Sequence, residues 1–146
     1  MLKKNIEITN VYGQRETKVL HFNLTRMEVY DLQSKFKEGY EQHLKNAIDS
    51  GDQNSQLDVF RDLIKNAYCE IDDQGNVIKN DDLTNKFLHS EAYSELMFDL
   101  LDKDDTSKAE QFFRGIMPQQ LLAEIDKKTQ NNQFQQNKPK IVQNNN

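Results

Sequence analysis

Three histidines, one cysteine and a run of acidic residues are the side chains best equipped for chemistry in this chain, and their spacing offers little of it. His21, His43 and His89 lie far apart and in no pair spacing suited to a metal. Each reads as a solvated or half-buried histidine. Cys69 has no motif around it, and a small buried hydrophobe is the default role of a lone cysteine. A single cysteine forms no internal disulfide and suits a reducing compartment. The nearest approach to a ligand loop is "EIDDQGNVIKND", Glu70 to Asp81. Gly75 falls where a twelve-residue calcium loop has its glycine, Asp72 at the third position and Asp81 at the twelfth. Glu70, however, replaces the usual first Asp, Gln74 is uncharged, and Asp81 is too short for the bidentate clamp of a Glu. The segment therefore reads as an acidic turn. The chain has no phosphate-binding glycine loop and no G-x-S-x-G. These residues predict no catalytic site, no cofactor and no metal.

More unusual is "FFRGIMPQQLL". So many large apolar residues must dock somewhere, and an apolar stripe generally faces its own core before it faces a partner. Phe112, Phe113, Ile116, Met117, Leu121 and Leu122 are the candidate partner-binding residues, for a client or for self-association.

The elements that carry these residues can be read from periodicity. "NIEIT" puts Ile6 and Ile8 on one face at strand period, and "ETKVLHF" follows less regularly after a turn at Gly13, which predicts a hairpin over about 5–23. Two strands alone are marginal in water, so the hairpin must lie on helices or pair with another chain. Thr25 and Glu28 have the spacing of a capping box. Val29, Leu32, Phe36, Tyr40, Leu44 and Ile48 then form one helical stripe, which Gly39 could split. Leu57, Phe60, Ile64, Ala67 and Tyr68 share the face of a further helix. Turn chemistry at Asp73 to Asn76 suggests a small hairpin, and a helix is expected to begin near Asp81. Ser90 can cap "EAYSELMFDLL", in which Tyr93, Leu96, Met97, Leu100 and Leu101 line a core face and Phe98 widens it. Ser107 and Glu110 offer a second capping box, Gly115 is expected to close that helix, and Pro118 suits the first turn of the next.

Composition frames these elements. Hydrophobic residues make up 36% of the 146, enough for one modest core. Residues 1–126 hold 15 Lys and Arg against 24 Asp and Glu, a balance of −9, whereas 127–146 hold four lysines and no acid. An acidic body lacks the basic face that nucleic acid requires. "MLKKNIEITN" has no apolar run behind its lysines and does not read as a secretory signal. No stretch approaches the ~18 apolar residues of a membrane span. Eleven of the last twenty residues are Asn or Gln, the composition of a disordered tail. The expected fold is therefore mainly α: one small helical domain, 1–126, with an N-terminal β-hairpin, followed by an Asn/Gln-rich disordered tail, 127–146.

The blocks "FNLTRMEVYDL", "FRDLIKNAYCEIDDQGNVIKNDDL", "FLHSEAYSELMFDLL" and "AEQFFRGIMPQ" together resemble the tail assembly chaperones of long, non-contractile-tailed phages, mostly of Gram-positive hosts. The resemblance covers roughly Ile6 to Gln120 and rests on the order and spacing of several blocks. It implies a non-enzymatic protein of the infected cell's cytoplasm that binds the tape measure protein, keeps it soluble, helps recruit tail tube subunits and is absent from the mature virion. It also implies, for many members, a longer form made by ribosomal frameshifting near the C-terminus. Two other readings compete with it. A structural tail or connector (tail completion) protein would persist in the virion. A small helical enzyme or regulatory domain of the host would need a cluster of convergent polar groups.

Overall fold

Alternating apolar residues and a glycine turn build the first unit. Strands β1 (Leu2–Thr9) and β2 (Arg15–Phe22) pair antiparallel from Leu2 opposite Phe22 to Thr9 opposite Arg15. At the turn, Asn10 Oδ1 accepts from the backbone N–H groups of Tyr12 and Gln14 at 3.0 and 2.9 Å. Gly13 adopts a φ of 77°, which a side chain would disfavour. The structure is a computed structural model and describes residues 1–123 and residue 127; the expected tail, Lys127 apart, lies outside the described residues. One face of the hairpin buries Ile6, Leu20 and Phe22 against helices, and β2 continues the sheet. It pairs antiparallel with β3 (Tyr68–Ile71), which pairs with the short β4 (Val77–Ile78). The strand order is β1-β2-β3-β4.

Helix boundaries follow from local chemistry. Helix α1 (Arg26–Ser34) opens on the expected capping box: Thr25 Oγ1 accepts from the Glu28 N–H, and Glu28 Oε1 accepts from the Thr25 N–H, both at 3.2 Å. Gly39, at φ 82°, does split the stripe, and α2 (Tyr40–Ser50) follows it. Asp52 caps α3 (Gln53–Ala67), Asn80 caps α4 (Asp81–Leu88) and Ser90 caps α5 (Glu91–Leu100). Helix α6 (Ser107–Ile116) is followed at Pro118 by a helical stretch over 119–123. The helices pack on one face of the sheet, with Phe22, fully buried, at the centre. Its ring lies 5.0 Å from Phe112 and 6.0 Å from both Tyr68 and Phe87, edge to face in each case. Such pairs add to area burial through ring quadrupoles.

Several expectations are corrected. Ser107 and Glu110 form no capping box: the cap position is Thr106, and Ser107 turns back to bond the Asp105 carboxylate. An upstream carboxylate has outcompeted the helix N-terminus for the hydroxyl. Gly115 does not close a helix. It lies inside α6, where a Cβ would come 2.9 Å from Leu2 Cδ1, so its lack of a side chain lets α6 approach β1. Phe98 leaves the core stripe altogether and is 73% exposed. Tyr68 belongs to β3, and Val59 and Leu63 bury beside Phe60 and Ile64 on α3.

A single lysine ties three elements together. Lys79, just after β4, donates to Glu28 Oε2 at 2.6 Å, to the Asn23 carbonyl at 2.7 Å and to the Asn66 carbonyl at 2.9 Å. Burial would raise the Glu28 carboxyl's pKa, but the bonds from Lys79 and Thr25 outweigh it and hold it below the ordinary value. The charged donor also satisfies two carbonyls at the ends of neighbouring segments, which would otherwise lack partners.

Candidate functional site

The residues singled out for chemistry do not converge. His43 stacks on Phe36 with ring centres 3.9 Å apart, while His89 Nδ1 is 2.9 Å from the Asn85 carbonyl at the end of α4. His21 lies on β2 opposite Cys69. The Cys69 thiol is buried, and desolvation pushes its pKa up, away from the reactive thiolate. In the calcium-like segment, the turn itself occupies Asp72: Oδ1 accepts from the N–H groups of Gln74 and Asn76 at 2.9 and 2.8 Å, and Oδ2 from Asn76 Nδ2 at 3.1 Å. These bonds hold its pKa down. Asp81 meanwhile starts α4. Among the described residues no three His, Cys, Asp or Glu side chains gather closely enough to hold a metal ion.

The apolar candidates divide sharply. Phe112, Phe113, Ile116 and Met117 are buried in this chain's own core, between 1% and 7% exposed. Four of the six thus face inward, because α6 is amphipathic and its apolar side meets the hairpin and α5. Leu121 and Leu122 are half-buried and line two different clefts. Leu122 and the edge of Phe113 line a cleft of ≈ 350 Å³ between α2 and α6, floored also by Leu44 and Ile48. Its rim carries Glu41, Lys45, Asp49 and Glu110. Ile48 and Thr106 also line a second cleft of ≈ 270 Å³ beside the α5–α6 connection, so the two adjoin. Leu121 borders a third, of ≈ 370 Å³, along the outer face of α1, where Met27 and Tyr30 are each 65% exposed.

Periodicity did not single out Met27 and Tyr30. Tyr30 neighbours the buried Val29 in sequence but lies off the buried stripe.

Shallow apolar clefts with charged rims suit a macromolecular partner better than a small substrate, and one comparison decides the class. The family model described as phage tail assembly chaperone matches residues 1–145. The chain belongs to the phage tail assembly chaperone family. No curated protein and no solved structure matches it. The chaperone is accordingly a non-enzymatic assembly protein with tail proteins as partners. Among its described residues no helix is long and apolar enough to cross a membrane.

Proposed function

We propose that this chaperone binds the tape measure protein of its phage in the host cytoplasm, keeps that protein from aggregating, helps recruit tail tube subunits and leaves before the virion matures. The family match over residues 1–145 carries this reading. The α2–α6 cleft supports it and is the surface we assign to the client. Its α2 wall, from Glu41 to Asp49, spans nine residues, about 12 Å at a rise of ~1.5 Å per step, which is roughly two turns of a docked helix. An amphipathic helix would lay its apolar anchors on Ile48, Phe113 and Leu122 and its polar flanks against the charged rim. A shallow groove gives modest affinity, which release requires.

Co-expression with the tape measure protein, followed by pull-down and sedimentation, tests the proposal. A soluble complex is expected. Leu122→Glu, which puts a charge on the cleft floor at a half-buried position, should weaken it about tenfold, or ~1.4 kcal/mol. Phe113→Ala is a poor probe, because at 7% exposure it reports on folding as well as on binding. A tape measure protein that stays insoluble with no complex formed rejects the client. A complex that Leu122→Glu leaves unchanged rejects the cleft alone. Mass spectrometry of purified particles separates this reading from a structural tail or connector protein, which would be found there.

A further inference from the structure

Among the described residues strand β1 is an edge. It pairs with β2 on one side only, and among the described residues nothing else hydrogen-bonds to its backbone. An eight-residue edge with free N–H and C=O groups is a template for another strand, and natural proteins usually blunt such edges with charge. This one carries charge, "LKKNIEIT", but the signs are arranged to match themselves. Lys3, Asn5 and Glu7 alternate on the exposed face, with Leu2, Lys4, Ile6 and Ile8 on the face toward the helices. Neither Lys3 nor Glu7 has an ion-pair partner among the described residues.

We infer that β1 pairs antiparallel with β1 of a second copy, about a two-fold axis through Asn5, joining two four-stranded sheets into one of eight strands. That register sets Lys3 opposite Glu7 of the second copy, and Glu7 opposite its Lys3, so one isologous contact makes two opposite-charge cross-strand pairs. On the helix-facing side it sets Leu2 opposite Ile8, both partly buried in the single chain and covered further by each other. Neighbouring registers do worse. Centring the axis on Lys4 opposes two lysines. Centring it on Ile6 sets Lys3 against Thr9 and leaves Glu7 facing Asn5. A shift of one residue opposes odd to even positions and throws the two helical layers onto opposite faces of the sheet. The occupant is a second copy because the charge pattern is self-complementary; a client strand would have no reason to meet it. This inference stands independently of the client assigned above.

Analytical ultracentrifugation of the full chain across a concentration series is the test. A reversible dimer is expected, with amide hydrogen exchange in β1 slowing as the dimer fills. Lys3→Glu and Glu7→Lys lie on exposed positions and should leave circular dichroism unchanged. Each sets like charges opposite one another twice and should weaken dimerisation about tenfold. The double exchange Lys3→Glu with Glu7→Lys restores both pairs and should return the affinity to near its original value. A chain that is monomeric at every concentration overturns the inference. So does a dimer indifferent to the single reversals, or one that the double exchange fails to rescue.

Discussion

Lys79 shows what a single side chain does here. Its ammonium donates to Glu28, 51 residues away in sequence, and to two backbone carbonyls. Replacing it by Met leaves those carbonyls and a partly buried carboxylate without their donor. Hydrogen bonds to charged groups contribute about 1.5–3 kcal/mol, so Lys79→Met should lower stability by about 2 kcal/mol in urea denaturation. Glu28 adds a pH dependence of definite sign. Its folded pKa lies below the unfolded one, so its contribution is complete above the ordinary carboxylate value of about 4.3 and is lost as pH falls through the folded value. Wild type should therefore exceed Glu28→Gln in stability at neutral pH, and the gap should close in acid. A gap that persists unchanged below pH ~3 would show that Glu28 acts through its shape and its Thr25 bonds rather than its charge. The sequence announces half of this site. The Thr25–Glu28 spacing is local and legible, whereas Lys79 joins it only through the fold of α3, β3 and β4.

At the scale of elements, α6 packs on β1 with Gly115 against the Leu2 side chain. Alanine there should be close to neutral: it gains about 1 kcal/mol of helix propensity and must displace only the end of the flexible Leu2 side chain. Leucine there should wedge the hairpin from α6 and cost about 1–3 kcal/mol, as overpacking does. Equal stability of Gly115→Leu and wild type in urea denaturation would show that the hairpin is not seated by this contact. The comparison explains what could be read from the sequence. The caps at Thr25 and Ser90, the breaks at Gly13 and Gly39 and the turn before β4 are set by neighbours a few residues away, and each is found where its chemistry puts it. Gly115 looks like a helix stop because the strand that needs its small size lies at the other end of the chain. Phe98 reads as core because periodicity gives a stripe's centre better than its edges. The apolar crowding from Phe112 to Leu122 was legible, but not its division into core and cleft, because Phe112's ring partner Phe22 is distant in sequence.

At the scale of the whole molecule, charge and composition separate two parts. Residues 1–126 carry −9, and the described portion holds the buried core; residues 127–146 carry four lysines and no acid. The net charge of the acidic body disfavours association of like copies except where signs match, as in the contact proposed along β1, and the α2–α6 cleft has a mixed rim. Under the proposed client role this arrangement favours release, since contacts on a charged rim are weakened by salt and by competing water. Composition alone assigns no folding role to the last twenty residues. Burial of a few apolar groups among eleven amides would not offset the ~1–2 kcal/mol of backbone entropy that each ordered residue costs. We therefore propose that the folding unit ends near residue 126. Truncation after Ile125 should leave the unfolding transition cooperative and its midpoint unchanged in circular dichroism. It also removes four lysines and Asp126, a net +3, and takes the charge from −5 to −8, so client binding measured beside stability tells whether the lysines assist recognition. A lower midpoint or a broadened transition would mean that the body needs these residues to fold, and the boundary would move toward the C-terminus.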